Sequence, residues 1–437
     1  MGLDGVRQAA RWDRRLRFTA LLHHIMPALL KASFCALQHN AAAGADGVTW
    51  REYEGSLHQR VPGLHRKIHT GAYRAQPPRR VFIPKADDLQ RPLGIASLED
   101  KIVQQAVVTV LSAVYETGFL GFSYGFGRGR GQHEALDALV VGIKSRKVNS
   151  ILGVDMRSFF DGIDHGWMLR FLEHRIADRR ILSLVRKWLQ AGVIEDGLRV
   201  AAERRTPQNA VISLLLANIC LHYVLDLWAH HWRKQHATGG DVIVVRHADD
   251  NVLGFQREKA ARQFLYDLQG RLAKFGLTLH LDKTRLIEFG RFAVENRRKR
   301  GQGHPETFDF LGLTHCCGTN RQRQFQVVRL TVKKRMWATL TAIRATPMRR
   351  HEPIAELGEW LRRVVQGCFN CCGVPSNFGR LEGFRSEGCR GWRHALRRRS
   401  LRRRLSWERF NRLVRRYVPH SQKLRPYLEE RFHASRP

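Results

Sequence analysis

Acid is scarce in this chain of 437 residues, which sets 39 Asp and Glu against 75 Lys and Arg for a formal net charge of +36 and a pI near 11.0. Solubility asks for far less, and such an excess is the electrostatic footprint of a nucleic-acid binder. Long apolar runs are missing too. None approaches the roughly 20 residues that a membrane span needs, so a soluble protein with no membrane partner is expected. The N-terminus has no signal-peptide core, and the eight cysteines (35, 220, 316, 317, 368, 371, 372 and 389) follow no secretory framework. Reduced thiols in the cytoplasm are therefore expected. Cys368-x-x-Cys371-Cys372 is half of a zinc site at best, because a closed site needs four ligands and no second pair follows at ligand spacing. The Gly-rich segment Gly125 to Gly131, GFGRGRG, is not a P-loop, since no Gly-Lys-Ser/Thr closes it. It reads either as a flexible turn or as backbone, Arg128 and Arg130 set against a phosphate chain.

What is present is enough apolar material, 43% of residues, for a large core in two or three domains. Periodicity predicts an amphipathic helix over Arg14 to Gln38, broken by HNAAAGADGV. A strand at Arg79 to Pro84, a polar turn and a helix from Leu98 to Tyr115 follow. Further helices are expected at His165 to Ile176, Arg179 to Gln190 and Glu258 to Phe275, with a buried helix over Ala210 to Leu227 that Thr206-Pro207-Gln208 would start. Strands are expected near Leu286 to Phe289 and Phe308 to Leu313, and only helix from Leu330 onward. Strand and helix thus mix in the first three quarters, which makes the fold class α+β.

Two strand ends offer carboxylates. VIVVRHADDNVLGF (Val242 to Phe255) places Asp249 and Asp250 in a tight turn between apolar runs, and the strand Ile151 to Val154 ends in Asp155 before Phe159-Phe160. Asp249-Asp250-Asn251 is also ordinary turn chemistry. If the two strands are neighbours, however, Asp155 and Asp249 can bridge a pair of hard divalent cations such as Mg2+, about 4 Å apart, the arrangement of in-line phosphoryl displacement. Asp161 and Asp164 read instead as a turn and a helix N-cap. Near the C-terminus, Gly391 to Arg416 holds eleven arginines, among them Arg397, Arg398, Arg399, Arg402 and Arg403, against one acid, Glu408. Trp392, Leu396, Leu401, Leu405, Trp407, Phe410 and Leu413 punctuate that block at helical spacing, which favours ordered basic helices over a solvated tail.

Seven blocks in order, RRVFIPKADDLQRPLGI (79 to 95), SYGFGRGRGQHEALDAL (123 to 139), VDMRSFFDGIDH (154 to 165), RTPQNAVISLLLANICLH (205 to 222), VVRHADDNVLGF (244 to 255), GLTLHLDKTRLIEF (276 to 289) and FDFLGL (308 to 313), strongly resemble the reverse transcriptases encoded by bacterial group II introns. WLRRVVQGCFNCCGVPSNFGRLEGFR (360 to 385) and the Arg-rich helices resemble that family's thumb, or maturase, domain. The resemblance implies a right-hand polymerase. Its parts would be an N-terminal helical extension over 1–60, fingers and palm over 61–315, and an RNA-binding thumb over 316–437. Asp155, Asp249 and Asp250 match the metal-binding carboxylates, which would hold two Mg2+ ions with Mn2+ as a substitute. Lys85 and Arg91 match the cations that grip the deoxynucleoside triphosphate. Phe160 matches the aromatic that disfavours a 2'-hydroxyl, and Gln208 belongs to the same substrate site. Implied partners are structured intron RNA, an RNA template, and DNA as primer and target, in a bacterial cytoplasm. Expected activities are RNA-directed DNA polymerisation and help in intron splicing and mobility. A splicing cofactor with a weakened or inactive polymerase site is the alternative.

The chain departs from the family's pattern in several places. Asn209-Ala210 replaces a Gly-Gly pair, and His247 replaces a tyrosine. Gly125-Phe126-Gly127-Arg128-Gly129-Arg130 replaces Gly-Phe-Arg-Pro-Gly-Arg, and Leu214 stands where a proline is usual. No nuclease module follows the thumb, so DNA cleavage by the protein itself is not expected.

Overall fold

The computed structural model describes residues 2–84, 90–125, 127, 129–157, 159–195, 198–200, 210–236, 240–349, 353–398 and 405–421, leaving aside the side chains of 84, 91, 160, 161, 198–200 and 346–349. Its strands are β1 (Arg79–Pro84), β2 (Gln90–Ile95), β3 (Ser150–Val154), β4 (Val193–Glu195), β5 (Leu198–Val200), β6 (Val242–His247), β7 (Asp250–Phe255), β8 (Arg285–Glu288), β9 (Phe308–Phe310), β10 (Leu313–Thr319) and β11 (Phe325–Thr331). They form three sheets, in the orders β2-β1-β4-β5, β6-β7-β3-β8 and β11-β10-β9. The class is mixed α and β, and no described helix is long and apolar enough to cross a membrane.

The central sheet β6-β7-β3-β8 separates two cores. Because successive strand residues face opposite sides, Leu152, Val154, Val244 and Leu253 join a core with the N-terminal helices. Ile151, Val245, Val252 and Ile287 join a second core with the C-terminal helices and the sheet β11-β10-β9. Both faces are covered, so the sheet is apolar nearly throughout and polar side chains gather at its ends.

The predicted strand at Arg79 to Pro84 and the helix Leu98–Tyr115 fall at those bounds. The helix expected over Arg14 to Gln38 does not form. Phe18 instead bridges Ile176 in parallel, and the amides of Leu21 and Leu22 donate to Asp178 Oδ2 at 2.8 and 3.0 Å. Only a short 3-10 turn, Leu22–His24, and the helix Pro27–Cys35, with proline at its start, remain. Local periodicity loses there to a carboxylate 157 residues away in sequence. The hairpin β10-β11 was also missed as two strands, and the 315/316 boundary expected between domains falls inside β10.

At the C-terminus the helices Ile354–Cys372, Phe378–Arg398 and Trp407–Tyr417 pack around Trp392, which is fully buried with Phe410 and Tyr417 edge-on at 5.9 and 6.1 Å. Asn377 joins these helices to β11. It accepts from the Thr331 amide and donates to the carbonyl of Cys372. The expectation of ordered helices holds for the described part of the Arg-rich block.

Candidate active site

One end of the central sheet carries carboxylates. Asp155 follows β3 directly, and Asp249 and Asp250 lie where β6 turns into β7. Val154 is registered with Asn251, so Asp155 and Asp250, one step on, share the same end of adjacent antiparallel strands. The turn itself is tighter than an Asp249-Asp250-Asn251 turn. His247 pairs with Asp250, leaving Ala248 and Asp249 as a two-residue loop with φ of 54° at Ala248. A positive φ at the first central residue and not at the second, Asp249, belongs to a type II′ hairpin and normally to glycine, so alanine there stores strain on the order of 1 kcal/mol. Asn251 Nδ2 steadies the loop by donating to the Asp249 carbonyl at 2.7 Å.

Asp155 is 44% exposed, with Lys283 Nζ 4.0 Å from its Oδ2, and its carbonyl accepts from the His280 amide at 2.9 Å. Asp250, the first residue of β7, is exposed where the rest of that strand is buried. Loss of water around its carboxylate, then the charges of Asp249 and Asp155, push its pKa up to about 6. That crowding of negative charge is what a divalent cation relieves. The donors are all hard oxygens, which suit Mg2+ or Mn2+. Among the described residues no group of three or more His, Cys, Asp or Glu is placed to hold a metal ion together, so the three aspartates do not form a complete cage. Such a partial site suits Mg2+, which takes one or two carboxylates and completes its shell with substrate phosphates and water.

Beneath the turn lies a polar layer that sequence reading missed. Arg246, fully buried, pairs with an equally buried Asp226 and reaches Asn218, Ser123 and the carbonyl of Ala248. Asn218 Nδ2 in turn donates to the Gly125 carbonyl at 2.6 Å, and a Cβ on Gly125 would collide with the Ala248 amide. The only signal in sequence was charge inside apolar runs, Arg246 in one and Asp226 in the other.

Lys85, Gln208, Arg128, Arg399, Arg402 and Arg403 lie outside the described residues, as do Asn209 and Thr206-Pro207. Arg91 sits in β2 opposite Ile83, and Phe160 lies in the short helix Phe159–Gly162. Asp164 caps the helix His165–Glu173 through the Trp167 amide at 2.8 Å, as expected. Arg130 Nη1 is committed to the carbonyls of Leu120 and Ser123 at 2.8 and 3.1 Å, so it shapes its own loop. The same guanidinium lines a cavity of about 370 Å³ with Arg7 and Arg11. Arg397 and Arg398 are exposed in the last turn of their helix, and nearby Arg393 stacks on the Trp407 ring at 3.3 Å. The eight cysteines are free thiols.

A family profile for reverse transcriptase (RNA-dependent DNA polymerase) matches residues 83–315, a span that holds all three aspartates. The chain belongs to the reverse transcriptase family. Protein YkfC of Escherichia coli (strain K12) is 30% identical over 343 residues, 68% of this chain and 89% of that protein. Group II intron-encoded protein LtrA of Lactococcus lactis subsp. cremoris is 31% identical over 216 residues, 48% of this chain and 36% of LtrA. The uncharacterized 91 kDa protein in cob intron of Schizosaccharomyces pombe (strain 972 / ATCC 24843) is 29% identical over 251 residues, 57% of this chain and 30% of that protein. This reverse transcriptase thus spans most of the first relative and about a third of the other two. The likeness to intron-encoded proteins agrees with the resemblance read from its motifs.

Proposed function

We propose that this chain is an RNA-directed DNA polymerase of the group II intron type that also binds intron RNA and assists its splicing and mobility. The observation that carries the reading is the meeting of Asp155, Asp249 and Asp250 on adjoining strand ends in a reverse transcriptase chain. In this reading the central sheet is the palm, the sheet around β1 and β2 is the fingers, and the C-terminal helices are the thumb.

When bound, a pair of divalent cations would neutralise charge on the transferring phosphorus and lower the pKa of the primer hydroxyl. Asp155 and Asp249 would hold that pair between strand ends, with Asp250 flanking it. The primer 3'-oxygen attacks the α-phosphorus, and the bond to pyrophosphate breaks as the new phosphodiester forms. Lys85 and Arg91 would hold the leaving pyrophosphate, where positioned cations act on charge as it develops. Phe160 would press on the sugar ring, and Gln208 would line the same pocket. Arg128, Arg397, Arg398, Arg399, Arg402 and Arg403 would contact phosphates of template and intron RNA.

Primer extension on an RNA template with Mg2+ tests this reading, with deoxynucleotide-dependent products expected. A protein that binds RNA but extends nothing would favour a second reading, a splicing cofactor with an idle palm. Asn209 and Ala210 favour that alternative, because they put side chains where glycines let backbone approach substrate.

A further inference from the structure

A buried ion pair below the turn uses an unusual amount of machinery. Both Arg246 and Asp226 are fully buried, joined by two bonds, Nε to Oδ1 at 2.7 Å and Nη2 to Oδ2 at 2.6 Å. The three remaining donors of the guanidinium go to Asn218 Oδ1 at 2.9 Å, the Ala248 carbonyl at 3.0 Å and Ser123 Oγ at 2.5 Å. All five N–H groups are therefore satisfied, the full capacity of arginine. Its backbone is held as well. The Arg246 amide donates to Phe122, and the Arg246 carbonyl accepts from Tyr124.

Desolvating two charges seldom makes a protein more stable than apolar packing would, so the pair calls for another reason. We infer that Arg246 is a positioning residue that sets the orientation of the catalytic turn, and that a π-helical turn exists in the neighbouring helix to bring Asp226 to it. This rests on the reading of Asp249 and Asp250 as catalytic carboxylates. The Ala248 carbonyl belongs to the peptide plane that joins Ala248 to Asp249. Fixing that oxygen fixes the plane from which the Asp249 side chain departs, and it holds Ala248 in the left-handed conformation that alanine otherwise avoids.

The helix partner supports the same conclusion. Asn218 lies in the helix Ser213–Leu221 and Asp226 ends a π-helical segment, His222–Asp226, which continues into the helix Leu227–Gln235. In an unbroken α-helix of 3.6 residues per turn, positions eight apart are rotated by roughly 80°. Absorbing one extra residue in a π turn makes the separation count as about seven, nearly two whole turns, so both side chains face one way. Asn218 and Asp226 meet the same guanidinium for that reason. The sequence pays helix regularity for a second point of support under the turn.

The test replaces the pair by apolar residues, Arg246→Met with Asp226→Leu, a change that commonly preserves folding. Arg246→Lys serves as a second variant that keeps the charge opposite Asp226 but loses the fork that reaches Ala248. Mn2+ binding to the full chain, followed by the paramagnetic signal of free Mn2+, should weaken by about 10- to 100-fold in both. The turnover number for primer extension should fall by a similar factor of about 10 to 100, with KM for the deoxynucleotide within about threefold. A merely structural role would leave folded protein with parental Mn2+ affinity and turnover, and that result in either folded variant would overturn the inference. A parent that binds Mn2+ but extends no primer would break the polymerase reading, while the Mn2+ comparison would still decide the role of Arg246.

Discussion

Arginine does opposite work in two regions of this chain. Within the central sheet Arg246 is fully buried, with every donor assigned to a named acceptor. At the C-terminal helices Arg397 and Arg398 stand in water, and apolar contact is left to Trp392, Leu396 and Phe410 beneath them. A buried, saturated guanidinium specifies position and is little screened by salt, whereas an exposed one supplies attraction that salt weakens. The contrast separates geometry from affinity within one protein, and each region can be disturbed without the other.

The largest effect is expected at the carboxylates. Asp249→Asn should abolish primer extension while leaving affinity for structured RNA within about twofold, because it removes no phosphate contact. Loss of RNA binding in that variant would collapse the distinction between the two regions. Next comes the opposite cut, Arg397→Gln with Arg398→Gln and Arg399→Gln. RNA affinity at moderate salt should drop by about 10- to 100-fold, and the slope of log affinity against log salt should shrink by roughly 0.7 to 0.9 per lost contact. Parental affinity across a salt titration would make the block a solvated surface.

A smaller effect sharpens the description of the substrate pocket. Phe160→Ala should raise ribonucleotide incorporation relative to deoxynucleotide by about tenfold, the scale of one lost steric discrimination. An unchanged ratio in a nucleotide competition assay would assign Phe160 to the core beside Phe159. The smallest effect concerns stability. His315 is fully buried against Phe308, and burial, then the Arg329 charge, push its pKa down to about 3. The unfolded chain binds a proton below about pH 6.5 that the folded chain refuses, so stability should decline from pH 6.5 toward 3, by about 1.4 kcal/mol per unit. The difference in melting temperature between His315→Phe and the parent should change with pH in that window, in the variant's favour as pH falls, and stay constant above it.

The carboxylates were legible because an Asp-Asp pair between two apolar, alternating runs leaves few local structures open, and Asp155 ends a third such run. The strand at Arg79 to Pro84 and the helix Leu98–Tyr115 were legible for a related reason, since turn residues bracket each of them. The helix over Arg14 to Gln38 was misread because Asp178 draws the amides of Leu21 and Leu22 out of helical bonding. β10 and β11 were missed because what makes them strands is their pairing with each other, from Leu313 opposite Thr331 to Thr319 opposite Phe325, which neither run shows alone.

By itself, the sequence determined the chemistry on offer: three strand-end carboxylates, a strong excess of basic charge, and helices over the described part of the Arg-rich block. Those follow from residue type and from periods of two and 3.6, which are local properties. Only the tertiary structure decided that Asp250 lies beside Asp155, that Arg246 faces inward, and that a π turn brings Asp226 to meet it. The physical reason is that a buried charge is tolerable only where partners from elsewhere in the chain complete its bonds. Here those partners, Ser123, Asn218 and Asp226, lie up to 123 residues away.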